Sequence, residues 1–317
     1  MLEEFTRQVL DTLKQMLPDC DLTVQQVNKP GENRLTGICI RSEKSNVAPI
    51  LYMEQPYQMF CEGTPINDIC NQLRRVYEQN CMTDNFDTAI LTDWSKVSDR
   101  VCAKLINFNR NREYLQDKVF MVIPTTDIVV MYYVDLDTVS DGATVPVSKQ
   151  LFDAWNIDTE TLHQHAMQNT QRIHNPSVRP LNAVMTEVLH ATDEELAGID
   201  APCMYVITSQ KMINGAILAL LPDVQAQLQE ALGDYFLLPS STEEMLAVPR
   251  SLQSPDMLLA MVTEINHTQV LPADQLSDDV YIIQNGQLIS VFTDEEKQVL
   301  RRKALCWLPF PEVELAN

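Results

Sequence analysis

Glycine is scarce in this chain, with eight residues in 317. Backbone approaches a nucleotide phosphate closely where no Cβ intervenes, so few places exist for a phosphate-cradling loop. No GxGxxG, GxxxxGK[ST], GxSxG or HExxH pattern occurs. Dinucleotide folds, P-loops, nucleophile elbows and the zinc-protease helix are therefore poor expectations. Positive charge is also short, 23 Lys and Arg against 44 Asp and Glu for a net charge of −21. That balance disfavours nucleic-acid backbones and anionic membranes as partners. No run approaches the roughly 20 apolar residues of a membrane span. The N-terminal MLEEFTRQVL lacks a signal peptide's basic head and apolar run, so the expectation is a cytoplasmic protein.

Cysteine is present, at positions 20, 39, 61, 70, 81, 102, 203 and 306, but never as Cys-x-x-Cys. Cys61, Cys70 and Cys81 are nine and eleven apart, which fits no common zinc spacing. Reduced core thiols are expected. The histidines offer little more: His163 and His165 would point about 200° apart on a helix and could not share an ion. His174 and His190 have no acidic partner at helical ligand spacing. No metal and no cofactor are expected.

What is there is a large apolar fraction, 45%, enough for a sizeable core in one large domain or two subdomains. Leu2, Phe5, Val9, Leu13 and Met16 recur at helical spacing up to Pro18, predicting a first helix. Strands are expected at Leu22 to Asn28, Leu35 to Arg41 and Ala48 to Met53, and a helix from Thr64 to Asn80. Asp93 is expected to cap a helix running through Val97, Val101, Leu105 and Ile106. The run Ile128 to Val134, IVVMYYV, reads as a central strand buried on both faces, with further strands at Val119 to Ile123 and Ala143 to Val147. Helices follow at Lys149 to Trp155 and Asp158 to Thr170. Beyond these, strands are expected at Met204 to Thr208, Gly215 to Leu220 and Tyr235 to Leu238, and helices at Pro222 to Leu232 and Pro255 to Asn266. Asn285-Gly286 marks a closing hairpin. The fold class is α+β (mixed α/β), with two mixed sheets flanked by helices in two subdomains. Their expected bounds are 1–145 and 146–292, with a helix and coil tail over 293–317.

The chain is organised around Asp234 to Arg250, DYFLLPSSTEEMLAVPR. A short apolar strand stops at Pro239, which has no N–H for a ladder. Ser240, Ser241 or Thr242 then caps a helical turn favoured by Glu243 and Glu244, or the chain turns into a second strand. The sharper alternative makes Tyr235, Pro239, Ser240, Ser241, Glu243 and Glu244 a pocket at a strand end. There Ser240 or Ser241 would serve as hydrogen-bonding or nucleophilic groups and Glu244 as acid or base, with His190 or His267 approaching in space.

Together with MYVITSQ (Met204 to Gln210) and NGAILALL (Asn214 to Leu221), this stretch resembles a family of uncharacterised domains of anaerobic gut bacteria, often found near mobile genetic elements. KLINFNRNREYL, DIVVMYYV and LFDAWNIDTETLHQHAMQNT extend the resemblance N-terminally, and LSDDVYIIQNG ends it. It implies an architecture and a context, not a reaction. The family pattern places a histidine just before the glutamate that matches Glu244; here that place holds Glu243.

Charge is uneven. Between Pro180 and Glu296 stand eighteen acidic residues against two basic ones, Lys211 and Arg250. The leading expectation is a non-enzymatic accessory or interaction protein that docks a basic protein or peptide on an acidic face including Asp193, Glu194, Glu195, Asp278 and Asp279. Arg110 and Arg112 are expected simply to face solvent, and the basic triplet Arg301-Arg302-Lys303 to suit a helix C-terminus.

Overall fold

A computed structural model describes residues 1–81, 86–137, 142–189, 204–297 and 300. The chain forms two compact units, Met1–Thr92 and Asp93–Asn317. The break expected near residue 145 falls inside the second unit, where the strand at that point pairs with the strand before it.

In the first unit the amphipathic helix α1 (Leu2–Met16) precedes a meander of β1 (Cys20–Lys29), β2 (Glu32–Ser42) and β3 (Ile50–Tyr52). Helices α2 (Glu54–Cys61), α3 (Ile66–Asn80) and α4 (Ala89–Thr92) follow. The strands pair antiparallel in chain order. Phe5, Val9 and Leu13 of α1 meet Ile38 and Ile40 of β2 and Ile69 and Leu73 of α3 in one core.

The second unit opens on α5 (Trp94–Val97), with Asp93 accepting from the Ser95 N–H at 3.1 Å. The predicted cap is real, but its helix is one turn long. Val101, Leu105 and Ile106 belong instead to β4 (Val101–Asn107), followed by β5 (Phe120–Val122), β6 (Ile128–Asp135) and β7 (Thr144–Pro146). A strand buried on both faces shows no alternation, so its apolar spacing mimics a helix. β6 is central as expected, paired with β4 on one side and with β5 and β7 on the other.

Helices α6 (Lys149–Trp155) and α7 (Thr159–His174) come next, then β8 (Pro176–Pro180) and α8 (Leu181–Leu189). α7 covers the free edge of β4. Asn169 donates to the Val101 carbonyl at 2.9 Å, and the Thr170 hydroxyl accepts from the Ala103 N–H at 2.8 Å. The side chains thus satisfy edge groups that no strand reaches.

The remaining elements are β9 (Tyr205–Ser209), α9 (Pro222–Leu232), β10 (Tyr235–Leu238), β11 (Glu244–Pro249), α10 (Pro255–Thr268), β12 (Tyr281–Gln284) and β13 (Gln287–Ser290). With β8 they build a six-stranded sheet ordered β13-β12-β10-β11-β9-β8. Proline at both ends of β8 suits its edge position. The segment Gly215–Leu220, expected as a strand, is a 3-10 helix entered through Asn214 at φ 50°. Its buried apolar run fits either state, and the left-handed turn decides.

The fold is α+β, as expected. Among the described residues its sheets number three rather than two, and every pairing is antiparallel. Among the described residues no helix is long and apolar enough to cross a membrane.

Candidate functional site

The turn at 239–243 joins two antiparallel strands, Leu238 pairing with Leu246. Its polar groups bond largely to one another. Ser240 donates to Glu244 Oε1 at 3.0 Å, the Ser241 hydroxyl accepts from the Glu243 N–H at 3.0 Å, and the Thr242 hydroxyl donates to Glu243 Oε1 at 3.0 Å. The helix-capping reading is corrected: the hydroxyls fold a hairpin turn, and Glu244 begins a strand.

Glu243 reaches beyond the turn. Its Oε2 accepts from the Asn214 N–H at 2.5 Å, and its carbonyl accepts from the Thr208 hydroxyl at 2.9 Å. Gly215 lies directly beneath, where a Cβ would stand 2.4 Å from the Glu243 carbonyl oxygen and 2.6 Å from the Ser209 nitrogen. Only a residue without Cβ admits this approach. The glutamate in the histidine place therefore ties the turn to the loop 209–215.

Next to that loop lies a buried polar cluster. Cys102 of β4 stands opposite Tyr133 of β6, and Lys104 opposite Met131. Alternation puts Cys102, Lys104, Tyr133 and Asp135 on one face of the sheet. The end of α7 brings in His174, 2% exposed, whose Nε2 lies 2.5 Å from the Tyr133 hydroxyl. Asn214 Nδ2 is 3.5 Å from the same hydroxyl, and the Lys104 ammonium is 5.9 Å from the Tyr133 ring centre. One ligand atom each from Cys102, Asp135 and His174 lie within 4.8 Å of one another.

Burial sets the electrostatics. It pushes the Cys102 thiol to about 12, with the Asp135 charge adding to the rise. Burial also raises Tyr133 well above the usual phenol range. It lowers the imidazole of His174 against the opposing pull of Asp135, and lowers Lys104 against that of Glu243. These are the effects of removing charge from water.

The other predicted residues are dispersed. Tyr235 is at the far end of β10, opposite Pro249, beside a cleft of about 320 Å³ shared with Gln225, Gln229, Asp234 and Arg250. It does not join Ser240 and Ser241. His267 is exposed on the last turn of α10. Asp193, Glu194, Glu195 and His190 lie outside the described residues, as do the basic triplet and most of the tail.

The two aspartates of the expected face are not free surface charges. Asp279 is 1% exposed and accepts from the Lys297 ammonium at 2.6 Å and the Ser290 hydroxyl at 2.7 Å. Asp278 accepts from Asn266 at 2.7 Å, with the Arg110 guanidinium at 3.7 Å. Arg110 is thus paired, and Arg112 lies over the Phe108 ring at 5.3 Å. His163 and His165 have separate partners, the Tyr132 hydroxyl at 3.0 Å and the Ser98 carbonyl at 3.3 Å.

Exposed acid sits elsewhere, around a cleft of about 370 Å³ lined by Asp256, Phe292, Glu295, Glu296 and Leu300. Met257 beside it is 60% exposed. Sequence reasoning missed this cleft because Asp256 opens α10 and Glu295 lies beyond the last hairpin, far apart in the chain. It missed Cys102 and Lys104 because β4 read as a helix, on which residues two apart diverge.

A family model matches residues 2–284, which carries the alignment through both compact units, the turn and the whole Cys102 cluster. The chain belongs to DUF5688, a family of unknown function. The DUF5688 match ends before Phe292 and Glu295, so the acidic cleft is built partly from sequence outside it. No curated protein and no solved structure matches the chain.

Proposed function

We propose that this chain is an interaction protein whose acidic surface receives a basic segment of another protein, with the seat at the cleft of Asp256, Phe292, Glu295, Glu296 and Leu300. The observation that carries the reading is the composition of that cleft: an apolar floor from Phe292 and Leu300 under three carboxylates. The three acids are exposed, whereas Lys297, next to Glu296 in the chain, is buried against Asp279. An amphipathic peptide would place a leucine or phenylalanine on the floor and its lysines or arginines on the rim. Net charge of −21 adds long-range attraction for such a partner. The setting is the cytoplasm, where free thiols such as the exposed Cys61 stay reduced. An accessory role accords with the mobile-element context that the resemblance implies.

The test is fluorescence anisotropy with a labelled peptide of alternating lysine and leucine, at low and at raised salt. Binding should weaken as salt rises. The triple reversal Asp256→Lys, Glu295→Lys, Glu296→Lys should lower affinity at least about tenfold, while Ser240→Ala with Ser241→Ala should leave it unchanged. Equal binding by the reversal variant would overturn the assignment of the cleft.

A further inference from the structure

The Cys102 cluster is separate from the cleft and asks for its own account. Two paired strands and the end of a helix hold a thiol, a carboxylate and an imidazole within 4.8 Å. These are rigid elements, so the groups are held together before any ligand arrives. His174 enters with one nitrogen against the Tyr133 hydroxyl and the other, Nδ1, buried without a hydrogen-bond partner. A buried polar atom left bare is costly and rare in folded proteins. Asp135 keeps a carboxylate beside the thiol, with one oxygen accepting from the Asp137 N–H at 2.9 Å.

We propose that Cys102, Asp135 and His174 bind one divalent transition-metal ion of the zinc type. The donor set is the reason. Sulfur, imidazole nitrogen and carboxylate oxygen are the three ligand classes of protein zinc, whereas a thiolate does not suit calcium or magnesium. The hydroxyl of Tyr133 supplies the outer hydrogen bond that fixes a ligating imidazole. An ion would neutralise two groups that otherwise repel when both are ionised. On binding, the S–H bond of Cys102 breaks, sulfur keeps the electron pair for the metal, and the proton leaves to solvent. Three protein ligands leave a fourth position for water or another donor.

The test is titration of the full chain, stripped with chelator, with Co²⁺. One equivalent should produce a thiolate-to-cobalt charge-transfer band in the near ultraviolet and visible bands of low symmetry. Cys102→Ser should abolish the charge-transfer band, and Asp135→Asn and His174→Gln should weaken binding at least about tenfold, while Cys61→Ser should change nothing. A check that needs no variant is the zinc-edge absorption spectrum of the wild-type chain, which should show one sulfur among the ligands. No band at saturating cobalt, a band that persists in Cys102→Ser, or a zinc shell with no sulfur or with two would each overturn the site.

Discussion

The two ends of β6 carry two buried polar clusters built to different plans. At its start, Asp127 Oδ1 accepts from Ser277 at 2.6 Å and Tyr281 at 2.9 Å, and Oδ2 accepts from Asn107 at 2.9 Å. Asn107 also donates to the Leu276 carbonyl at 2.9 Å and accepts from the Arg110 N–H at 2.9 Å. The groups of this network satisfy one another, and it clamps the sheet of β6 to the segment before β12. At the other end, Cys102, Tyr133, Asp135 and His174 crowd together with the His174 Nδ1 left without a partner. A completed network specifies structure, whereas the bare imidazole nitrogen leaves the second cluster short of one partner.

Breaking the clamp should have the largest effect. Asp127→Ala leaves three donors without their acceptor and should cost about 3 kcal/mol of stability in urea unfolding. It should leave the cobalt spectrum intact. Gly215→Ala should have the next largest effect, acting where the turn meets the loop 209–215. Its Cβ meets backbone atoms of Glu243, Ser209 and Thr208, all within 2.6 Å, so a loss of about 2 to 3 kcal/mol is expected from the same measurement. Ser240→Ala with Ser241→Ala removes mutual bonds at a half-buried turn and should cost about 1 kcal/mol.

The smallest effect concerns pH. Burial depresses the pKa of His174 below its ordinary 6.5. The neutral ring's contribution is therefore complete above that value and is lost as pH falls through the depressed one. Unfolding midpoints should decline from pH 7 towards pH 5, and His174→Gln should make the decline shallower. Part of the slope should remain, because His163 is shifted the same way by burial. An unchanged slope in His174→Gln would show that this imidazole titrates freely.

Much of the scaffold was legible in the residues. Pro222, Ser254 and Asn285-Gly286 marked their helices and hairpin because caps and tight turns depend on local chemistry. The centrality of β6 followed from its unbroken apolar run. The site did not follow. Cys102 and Tyr133 become neighbours only through strand register, and His174 reaches Asp135 from the far end of a helix. Nothing in sequence spacing encodes either approach. Asp279 misled for a related reason: its partner Lys297 comes from beyond the hairpin, so a residue that looked like surface acid is a buried ion pair. At the turn, the hydroxyls of Ser240 and Ser241 bond within it, while Glu243, one of the residues expected there, reaches the Asn214 N–H of the neighbouring loop.

The contrast between the two ends of β6 is tested most directly by thermal unfolding with and without Zn²⁺. A ligand that binds the folded state raises the midpoint. The contrast calls for an equal rise in the wild-type chain and in Tyr281→Phe, in which the clamp is weakened, and no rise in Cys102→Ser. A wild-type midpoint that zinc leaves unmoved, or an equal rise in Cys102→Ser, would contradict it.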